Sequence, residues 1–521
     1  MPIRLEDDKP QDNRGPKPRP QNPNTGGNGM LGRLLPFILM FVLRKPKLII
    51  PLLVIAAGWY FFLGPGSQSG GLDSDQEQAS FFFGATLSEE QYDKAQVFEP
   101  LTYGAMGGSS SLPRSVSLLQ YAPKRGHQGQ QGSCVGWASS YAARTILYSK
   151  ASGQNPNTAP FSPSYLYNQI ALTGCQGAYM RDAMEALKQG GVLPLSQYPY
   201  TDRSCTSQPD RTEQSQAQQY RIKGYNRLTT GANNYSPDIA GIRQHLAQGA
   251  PVVIGMQVGG TFMHQMEGKS MWTPTNRDYS GYGFSGHAMC VIGYDDTKDG
   301  GAFQLMNSWG PSWGENGVAW VRYPDFEHFV KEAYGLYPEG TSPQLDPDKL
   351  SVQFGLVNNA TQSLIPLRET GKGVFRSSTP IKIGDPFKVA IANSIECYVY
   401  VFGQESDGSS YVLFPYNEKY SAYCGIAGTR IFPREKSLVA DNIGQRDRIA
   451  IVVSKTELDY QRLNQVMNQS RQSSYTNKLH EALSSIEINN VTFKAGEAVE
   501  FSCDANGQQQ AVGMIIEIDK Q

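Results

Sequence analysis

Cys134 is the cysteine, of seven in the chain, whose surroundings favour nucleophilic chemistry. It follows a Gly-Ser turn in the run QGQQGSCVGWASSYAARTILYS and begins a predicted helix. A helix amino terminus favours an anion, so we expect it to lower the pKa of this thiol. Gly129, Gly132 and Gly136 let a substrate backbone approach closely, and the Cys134 amide can face a developing oxyanion. A buried structural thiol is the alternative interpretation.

A thiolate needs a base and a group that orients the base. His287 begins the predicted strand in SGHAMCVIGYDD, and Asn307 ends the next strand, in LMNSWGPSWGENG. Antiparallel neighbours joined by the turn GYDDTKDGG would bring these two side chains together. The carboxamide can then fix the imidazole, and Trp309 can screen that bond from water. Taken singly, His287 is also compatible with a core histidine.

Four blocks in order carry a resemblance to a known family: QGQQGSC, SPSYLYN with GCQGA, SGHAMCVIGYDD and NSWGPSWGENG. Through them, residues 112–337 resemble the papain-like cysteine peptidases. Val135 follows the nucleophile where many plant and animal members have Trp, which is more similar to bacterial members. The resemblance implies Cys134 as nucleophile, His287 as general base and acid, Asn307 as orienter and Gln128 as side-chain donor of the oxyanion hole.

The resemblance also implies residues that surround the reacting groups. Gly177, Ala178 and Gly286 would bind the substrate backbone, with Ala178 in place of the second glycine of a pair. Trp309 and Trp313 would support the active site.

The usual disulfide pattern of the family is broken in this sequence. Gln131 replaces the cysteine that would bridge to the position of Cys175. We predict a Cys175–Cys205 bond in its place.

The chain divides into five predicted segments. Helical signals come first and strand-like runs second in the peptidase part, which indicates an α+β domain with a helical lobe and a β-barrel-like lobe. The last part is dominated by β patterns with one helical insert, which favours a β-sandwich or barrel. The segments are a disordered cytoplasmic tail (1–33), a membrane anchor (34–65), a linker (66–110), a peptidase domain (111–342) and a β-rich accessory domain (345–521). Within the linker, the run SFFFGATLSEEQYDKAQVF predicts one small docking element.

The anchor is predicted from the uncharged run LIIPLLVIAAGWYFFL, with a transmembrane helix over about residues 48–65. Arg33, Arg44, Lys45 and Lys47 precede it and acidic residues follow it. The positive-inside rule then leaves the amino terminus in the cytoplasm and exports both later domains as parts of a single-pass protein. A cleaved signal peptide is the alternative.

Composition excludes several other functions. A net charge of -1, from 46 basic and 47 acidic residues, argues against nucleic-acid binding. No cysteine pair has zinc-ligand spacing, so neither a metal nor another cofactor is indicated. The long helical propeptide that many members of the papain-like family carry is not recognisable between residues 66 and 110.

The expected function is hydrolysis of peptide bonds in a protein or peptide substrate through a thioester acyl-enzyme, most simply as an endopeptidase. The β-rich domain would recruit substrate or a protein partner, and residues 48–65 would contact the lipid bilayer. Two alternatives are a catalytically inactive binding or scaffold protein with the same fold, and a peptide ligase or transpeptidase that uses the same acyl-enzyme.

Overall fold

The computed structural model describes residues 3–7, 82–103, 106, 111–338, 348–434 and 436–521. The predicted membrane anchor lies outside them. Among the residues described, no helix combines the length and the apolar character needed to cross a bilayer.

The predicted peptidase domain has one mainly antiparallel sheet that carries half of the candidate site. Its order is β3-β11-β6-β8-β9-β10-β7, with β2 paired to β8. Apolar runs such as VVIGMQV and AFQLM form its buried central strands. The strands of this sheet are β2 (Ser115–Ser117), β3 (Ile222–Arg227), β6 (Val252–Val258), β7 (Met271–Trp272), β8 (Ser285–Asp295), β9 (Ala302–Met306), β10 (Val318–Arg322) and β11 (Val330–Pro338), whereas β4 (Thr229–Gly231) and β5 (Asn234–Pro237) form a separate two-stranded sheet.

Helices form the second lobe, and the nucleophile's helix runs through its centre. That helix begins as α2 (Cys134–Gly136), continues as a π-helical stretch (Trp137–Arg144) and ends as α3 (Thr145–Ser152), where Gly153 adopts a left-handed conformation. Its small residues permit close packing on all sides. The other helices are α1 (Glu89–Asp93), α4 (Pro163–Ile170), α5 (Met180–Gln189), α6 (Arg211–Ala217), α7 (Ile239–Ala247), α8 (Gly260–His264), α9 (Asn276–Tyr279) and α10 (Tyr323–Phe329).

The β-rich domain is a sandwich of two sheets, in agreement with the prediction. One has the order β1-β21-β16-β12-β24-β23 and the other β14-β15-β25-β22-β17-β18, with an apolar core between them. Helices α11 (Tyr460–Gln469) and α12 (Tyr475–Leu483), the predicted insert, cover the outer face of the second sheet. Its strands are β12 (Lys349–Asn358), β13 (Leu364–Ile365), β14 (Leu367–Gly371), β15 (Val374–Ser377), β16 (Pro386–Asn393), β17 (Cys397–Gln404), β18 (Ser410–Phe414), β19 (Tyr423–Cys424), β20 (Gly428–Phe432), β21 (Lys436–Ala440), β22 (Arg446–Ser454), β23 (Phe493–Lys494), β24 (Val499–Asp504) and β25 (Ala511–Asp519).

The start of the chain differs from the prediction of a disordered tail over residues 1–33. Residues Ile3–Asp7 form strand β1, which pairs antiparallel with β21. A segment with little to bury can still be ordered when a sheet edge satisfies its backbone groups. Composition alone does not reveal such an edge, because it lies more than 400 residues further along the chain.

Residues 82–103 lie within the predicted linker and include most of its predicted docking element. They dock against the peptidase domain and the β-rich domain. The first of them enter the active-site cleft.

Candidate active site

The structure brings the predicted nucleophile, base and orienter together at the boundary of the two lobes. Cys134 is the first residue of α2, His287 is the third residue of β8, and Asn307 directly follows β9. The Nε2 atom of His287 lies 2.7 Å from Oδ1 of Asn307. The indole of Trp309 stacks on the imidazole, with ring centroids 4.3 Å apart. The bond between base and orienter is therefore shielded from solvent.

The hydrogen bonds of Asn307 fix which nitrogen of His287 carries the proton. Oδ1 of Asn307 also accepts a hydrogen bond from the backbone N–H of Ser308 at 2.7 Å, which identifies this atom as the carbonyl oxygen. His287 must then donate from Nε2, which leaves Nδ1 with its lone pair. Nδ1 has no hydrogen-bond partner among the described residues, so it is available to accept the thiol proton.

Gln128 is held so that one amide N–H group points into the cleft, while its Nε2 also donates to the carbonyl of Gln131 at 2.8 Å. Its Oε1 accepts a hydrogen bond from the hydroxyl of Ser308 at 2.7 Å, and its Nε2 donates to the carbonyl of Phe82 at 3.0 Å. Ser308 therefore contacts both Gln128 and Asn307, and it positions the predicted oxyanion donor and the predicted orienter together. Ser308 was not among the predicted site residues, although it lies between Asn307 and Trp309 in the same block.

A stretch of the chain itself, residues 82–88, fills the cleft; we call it the cleft segment. The carbonyl of Phe82 accepts from Gln128 and also from the indole N–H of Trp309, at 3.1 Å. The ring of Phe83 packs edge-on against His287 and Trp309. The cleft segment thus presents a peptide carbonyl to the predicted oxyanion donor.

The predicted substrate-binding residues bind the backbone of the cleft segment. Ala178 donates its N–H to the carbonyl of Gly84 at 2.9 Å and accepts from Thr86 at 3.0 Å, which pairs Ala85 in parallel with Ala178. The carbonyl of Gly286 accepts from the N–H of Ala85 at 3.2 Å. This part of the groove therefore binds extended peptide by its main chain.

Glycines make this close approach possible. A Cβ on Gly286 would overlap the carbonyl of Ala85, and one on Gly177 would overlap that of Gly84. A Cβ on Gly84 itself would overlap the carbonyl of Gly132. The backbone of the groove is in direct contact with the backbone of the cleft segment, so neither has room for a side chain at these positions.

The far end of the cleft segment is bound by a buried carboxylate. Oε1 of Glu332 accepts from the N–H of Ser88 at 2.8 Å, and Oε2 accepts from the hydroxyl of Tyr334 at 3.0 Å. Burial raises the pKa of Glu332 to about 7, against the opposing effect of these two hydrogen bonds.

A Cβ on Gly255 would meet the side chains of Leu87 and Met180, so Leu87 fills the space that Gly255 leaves.

The closed cleft reverses the predicted effect on the thiol of Cys134. The side chain is fully buried, and this burial raises its pKa to about 12, although backbone N–H groups, led by that of Ala288, act in the other direction. Burial also lowers the pKa of His287 to about 4. In this state the pair is a neutral thiol and a neutral imidazole.

The remaining predicted residues support the cleft. Cys175 and Cys205 form a disulfide, and Gly177 lies two residues beyond the first of them. Trp313 packs edge-on against Trp309 and donates its indole N–H to the carbonyl of Phe262. Within the described part of the chain, no group of three or more His, Cys, Asp or Glu side chains is placed to hold a metal ion.

The sequence contains a signal for the cleft segment, and it lies in the docking element predicted within the linker. The run FFFGATL lies in a region otherwise rich in Gly, Ser and charge. Three consecutive phenylalanines in a solvated linker would leave apolar surface exposed to water, so they indicate a docking site elsewhere in the chain.

We expect Gly84→Leu to open the cleft in the full chain, because its side chain would overlap Gly132. Alkylation of Cys134 by iodoacetamide, measured by mass spectrometry, should become about tenfold faster or more, since a loss of roughly 1.4 kcal/mol in closure gives that factor. Gly231→Leu is the matched control, because a Cβ there meets no atom within 4 Å. Equal alkylation in all three proteins would contradict occlusion by residues 82–88.

The titration of Cys134 should differ between the closed and open proteins. The charged form of a thiol is the thiolate, so burial holds Cys134 protonated until the pH nears 12. In Gly84→Leu, solvent reaches the sulfur and the helix terminus favours the thiolate at lower pH. Ultraviolet thiolate absorbance, taken as the difference from Cys134→Ala, should show no step between about pH 6 and pH 9 in the wild type and a step in Gly84→Leu. A wild-type step in that range would refute the closed state.

Comparison with known proteins agrees with the geometry. Residues 120–330 match the family described as papain family cysteine protease, and residues 381–457 match a domain of unknown function (DUF4384). Peptidase 1 of Euroglyphus maynei is 29% identical over 264 residues, which cover 48% of this chain and 73% of that protein. A cysteine protease of Blomia tropicalis is 26% identical over 260 residues, covering 48% and 71%.

A solved structure, that of xylellain, a cysteine protease from Xylella fastidiosa, is 21% identical. It aligns over 52% of this chain and all of the other, with a TM-score of 0.41. By the family match and the curated relatives, the chain resembles the papain family cysteine proteases over residues 120–330, and it is a cysteine-type peptidase joined to a β-rich domain of unknown function.

Proposed function

We propose that the chain is an endopeptidase that is latent in the state described, with Cys134 as nucleophile, His287 as base and acid, Asn307 as orienter and Gln128 as oxyanion donor. The observation that carries the proposal is the hydrogen bond from Gln128 Nε2 to the carbonyl of Phe82. It supports a cleft that receives a peptide carbonyl beside the thiol. The cleft segment must leave before a substrate can bind.

The proposed reaction follows from the hydrogen bonds of the site. Nδ1 of His287 takes the proton of Cys134, and the thiolate attacks the carbonyl carbon of the scissile bond. The oxygen then gains negative charge, which the amide of Gln128 stabilises. When the C–N bond breaks, His287 returns the proton to the leaving amine, and a thioester remains on the enzyme. Water, deprotonated by the same imidazole, hydrolyses the thioester and frees Cys134.

Ligation is the second candidate reaction, because an amine can replace water in the last step. A catalytically inactive scaffold would retain the groove but would not form the thioester. Product analysis separates these three, since ligation joins peptides, hydrolysis cuts them and a scaffold does neither.

We expect the site residues to have graded effects when they are changed in the Gly84→Leu chain. Cys134→Ala should abolish cleavage of a mixed peptide library and labelling by an epoxide-type thiol-peptidase inhibitor. Gln128→Ala should lower kcat/KM about 100- to 1000-fold, the range for one oxyanion donor. Cys503→Ser removes a thiol of the β-rich domain and should leave the rate unchanged. Cleavage that survives in Cys134→Ala would refute this assignment.

The proposal includes anchoring of the chain in a membrane by residues 48–65, with the amino terminus in the cytoplasm and both domains exported. It rests on the apolar run and its basic flank. The β1–β21 pair described above conflicts with this topology, so the topology requires that the pair does not form within one membrane-bound chain. One chain that crosses the bilayer once between these strands cannot pair them, because they would lie on opposite faces.

Fractionation of cells and a cross-link test this topology. We expect the full chain to sediment with membranes and to resist alkaline carbonate, and a deletion of residues 34–65 to release it. Glu6 and Ser437 are register partners in the β1–β21 pair, so Glu6→Cys with Ser437→Cys reports the pairing. Single crossing predicts no intramolecular disulfide in intact membranes. An efficient cross-link within one chain would overturn it.

A further inference from the structure

We infer that the β-rich domain functions as a clamp that keeps the cleft segment in the active site, by binding the stretch of chain that follows it. We call residues 94–103 the strap. The inference rests on the proposed function, because it concerns access to Cys134. It gives the β-rich domain an intramolecular peptide ligand and a role in latency.

A single helix, with no intervening loop, joins the cleft segment to the strap. Helix α1 (Glu89–Asp93) follows the cleft segment directly, and Ser88 caps it. Tyr92 in this helix is buried; its hydroxyl donates to the carbonyl of Ala333 at 3.0 Å and accepts from the N–H of the same residue at 2.9 Å. The strap is therefore connected to the residues over Cys134 by one short helix, and this helix is itself bound to the peptidase domain.

The β-rich domain binds the main chain of the strap at several points. Val97, which is fully buried, donates its N–H to the carbonyl of Lys419 at 2.7 Å and accepts from the N–H of Ser421 at 3.1 Å. Further along, Thr102 donates to the carbonyl of Thr429 at 2.7 Å. The strap is bound as an added extended segment, a mode in which main-chain hydrogen bonds supply the affinity.

Two cations of the β-rich domain strengthen this contact. The buried guanidinium of Arg430 donates from Nε to the carbonyl of Glu99 at 3.1 Å. The ammonium of Lys419 pairs with the carboxylate of Asp93, the last residue of α1, at 2.8 Å. The Arg430 bond is buried and charge-assisted, and bonds of that kind are roughly twice as strong as neutral ones. The Lys419–Asp93 pair is about one third exposed, so it contributes less.

The peptidase domain binds the opposite side of the strap. Arg227 accepts from the N–H of Phe98 at 3.0 Å and donates its own N–H to the carbonyl of Gln96 at 2.9 Å. The carboxamide of Gln244 makes a pair of bonds with the backbone of Leu101. Because the strap lies between the two domains, it can leave the peptidase domain alone only if its bonds to the β-rich domain also break.

The test compares rates of Cys134 labelling by an epoxide-type inhibitor in full-length variants. Lys419→Met with Arg430→Met removes both cations of the clamp, and Thr102→Pro removes one strap N–H while leaving every residue of the β-rich domain unchanged. Each should be labelled about tenfold faster than the wild type or more, since the bonds removed limit opening. Arg448→Met is the matched control: it removes an arginine of the same domain that pairs with Glu517.

The labelling rate of the Gly84→Leu chain serves as the reference for an open cleft. If this chain is labelled rapidly while both clamp variants react at the wild-type rate, the clamp is refuted and the proposed peptidase stands. If it is neither labelled nor active on peptides, the proposed function fails. In the Gly84→Leu background the clamp changes should add less than about twofold, because the cleft is already open. Thermal unfolding of Thr102→Pro shows whether the β-rich domain stays folded, so faster labelling cannot be ascribed to its loss.

Discussion

A peptide backbone can lie against the nucleophile only where the groove has no side chains, and this constraint governs the site. Gly132, Gly177 and Gly286 provide that surface, and Gly84 meets it from the other side. The same surface that suits a substrate suits the cleft segment, so binding and occlusion depend on one geometry. The contacts that hold the cleft segment and the strap, from the carboxylate of Glu332 to the β-rich domain, act on how long the cleft segment covers that surface.

The state of the thiol shows which of two electrostatic effects dominates. A helix amino terminus stabilises an anion by roughly 0.3 to 1 kcal/mol at an exposed site. Burial raises the pKa of Cys134 from 9 to about 12, which corresponds to about 4 kcal/mol. Desolvation therefore prevails while the cleft is closed. The helix terminus can favour the thiolate only after water reaches the sulfur.

Sequence patterns predicted those parts of the structure that depend on residues close together in the chain. Short stretches of sequence indicated the Gly-Ser turn before Cys134 and the strands that position His287 and Asn307. Apolar β patterns indicated the sandwich. The closed state depends instead on contacts between distant residues. Phe82 meets Trp309, and Val97 meets Lys419, across more than 200 residues of chain, so no periodicity or spacing reports them. Strand β1 was missed for the same reason.

The order of the domains along the chain has a consequence for synthesis. The cleft segment and the strap are made before the peptidase domain, whereas the clamp lies in the last part of the chain, beyond residue 338. At roughly 5 to 20 residues per second, a ribosome needs about 10 to 40 s to add that part. During this interval only the groove and α1 can hold the cleft segment, because the contacts of the β-rich domain do not yet exist. The inferred clamp can act only after the second domain has been synthesised.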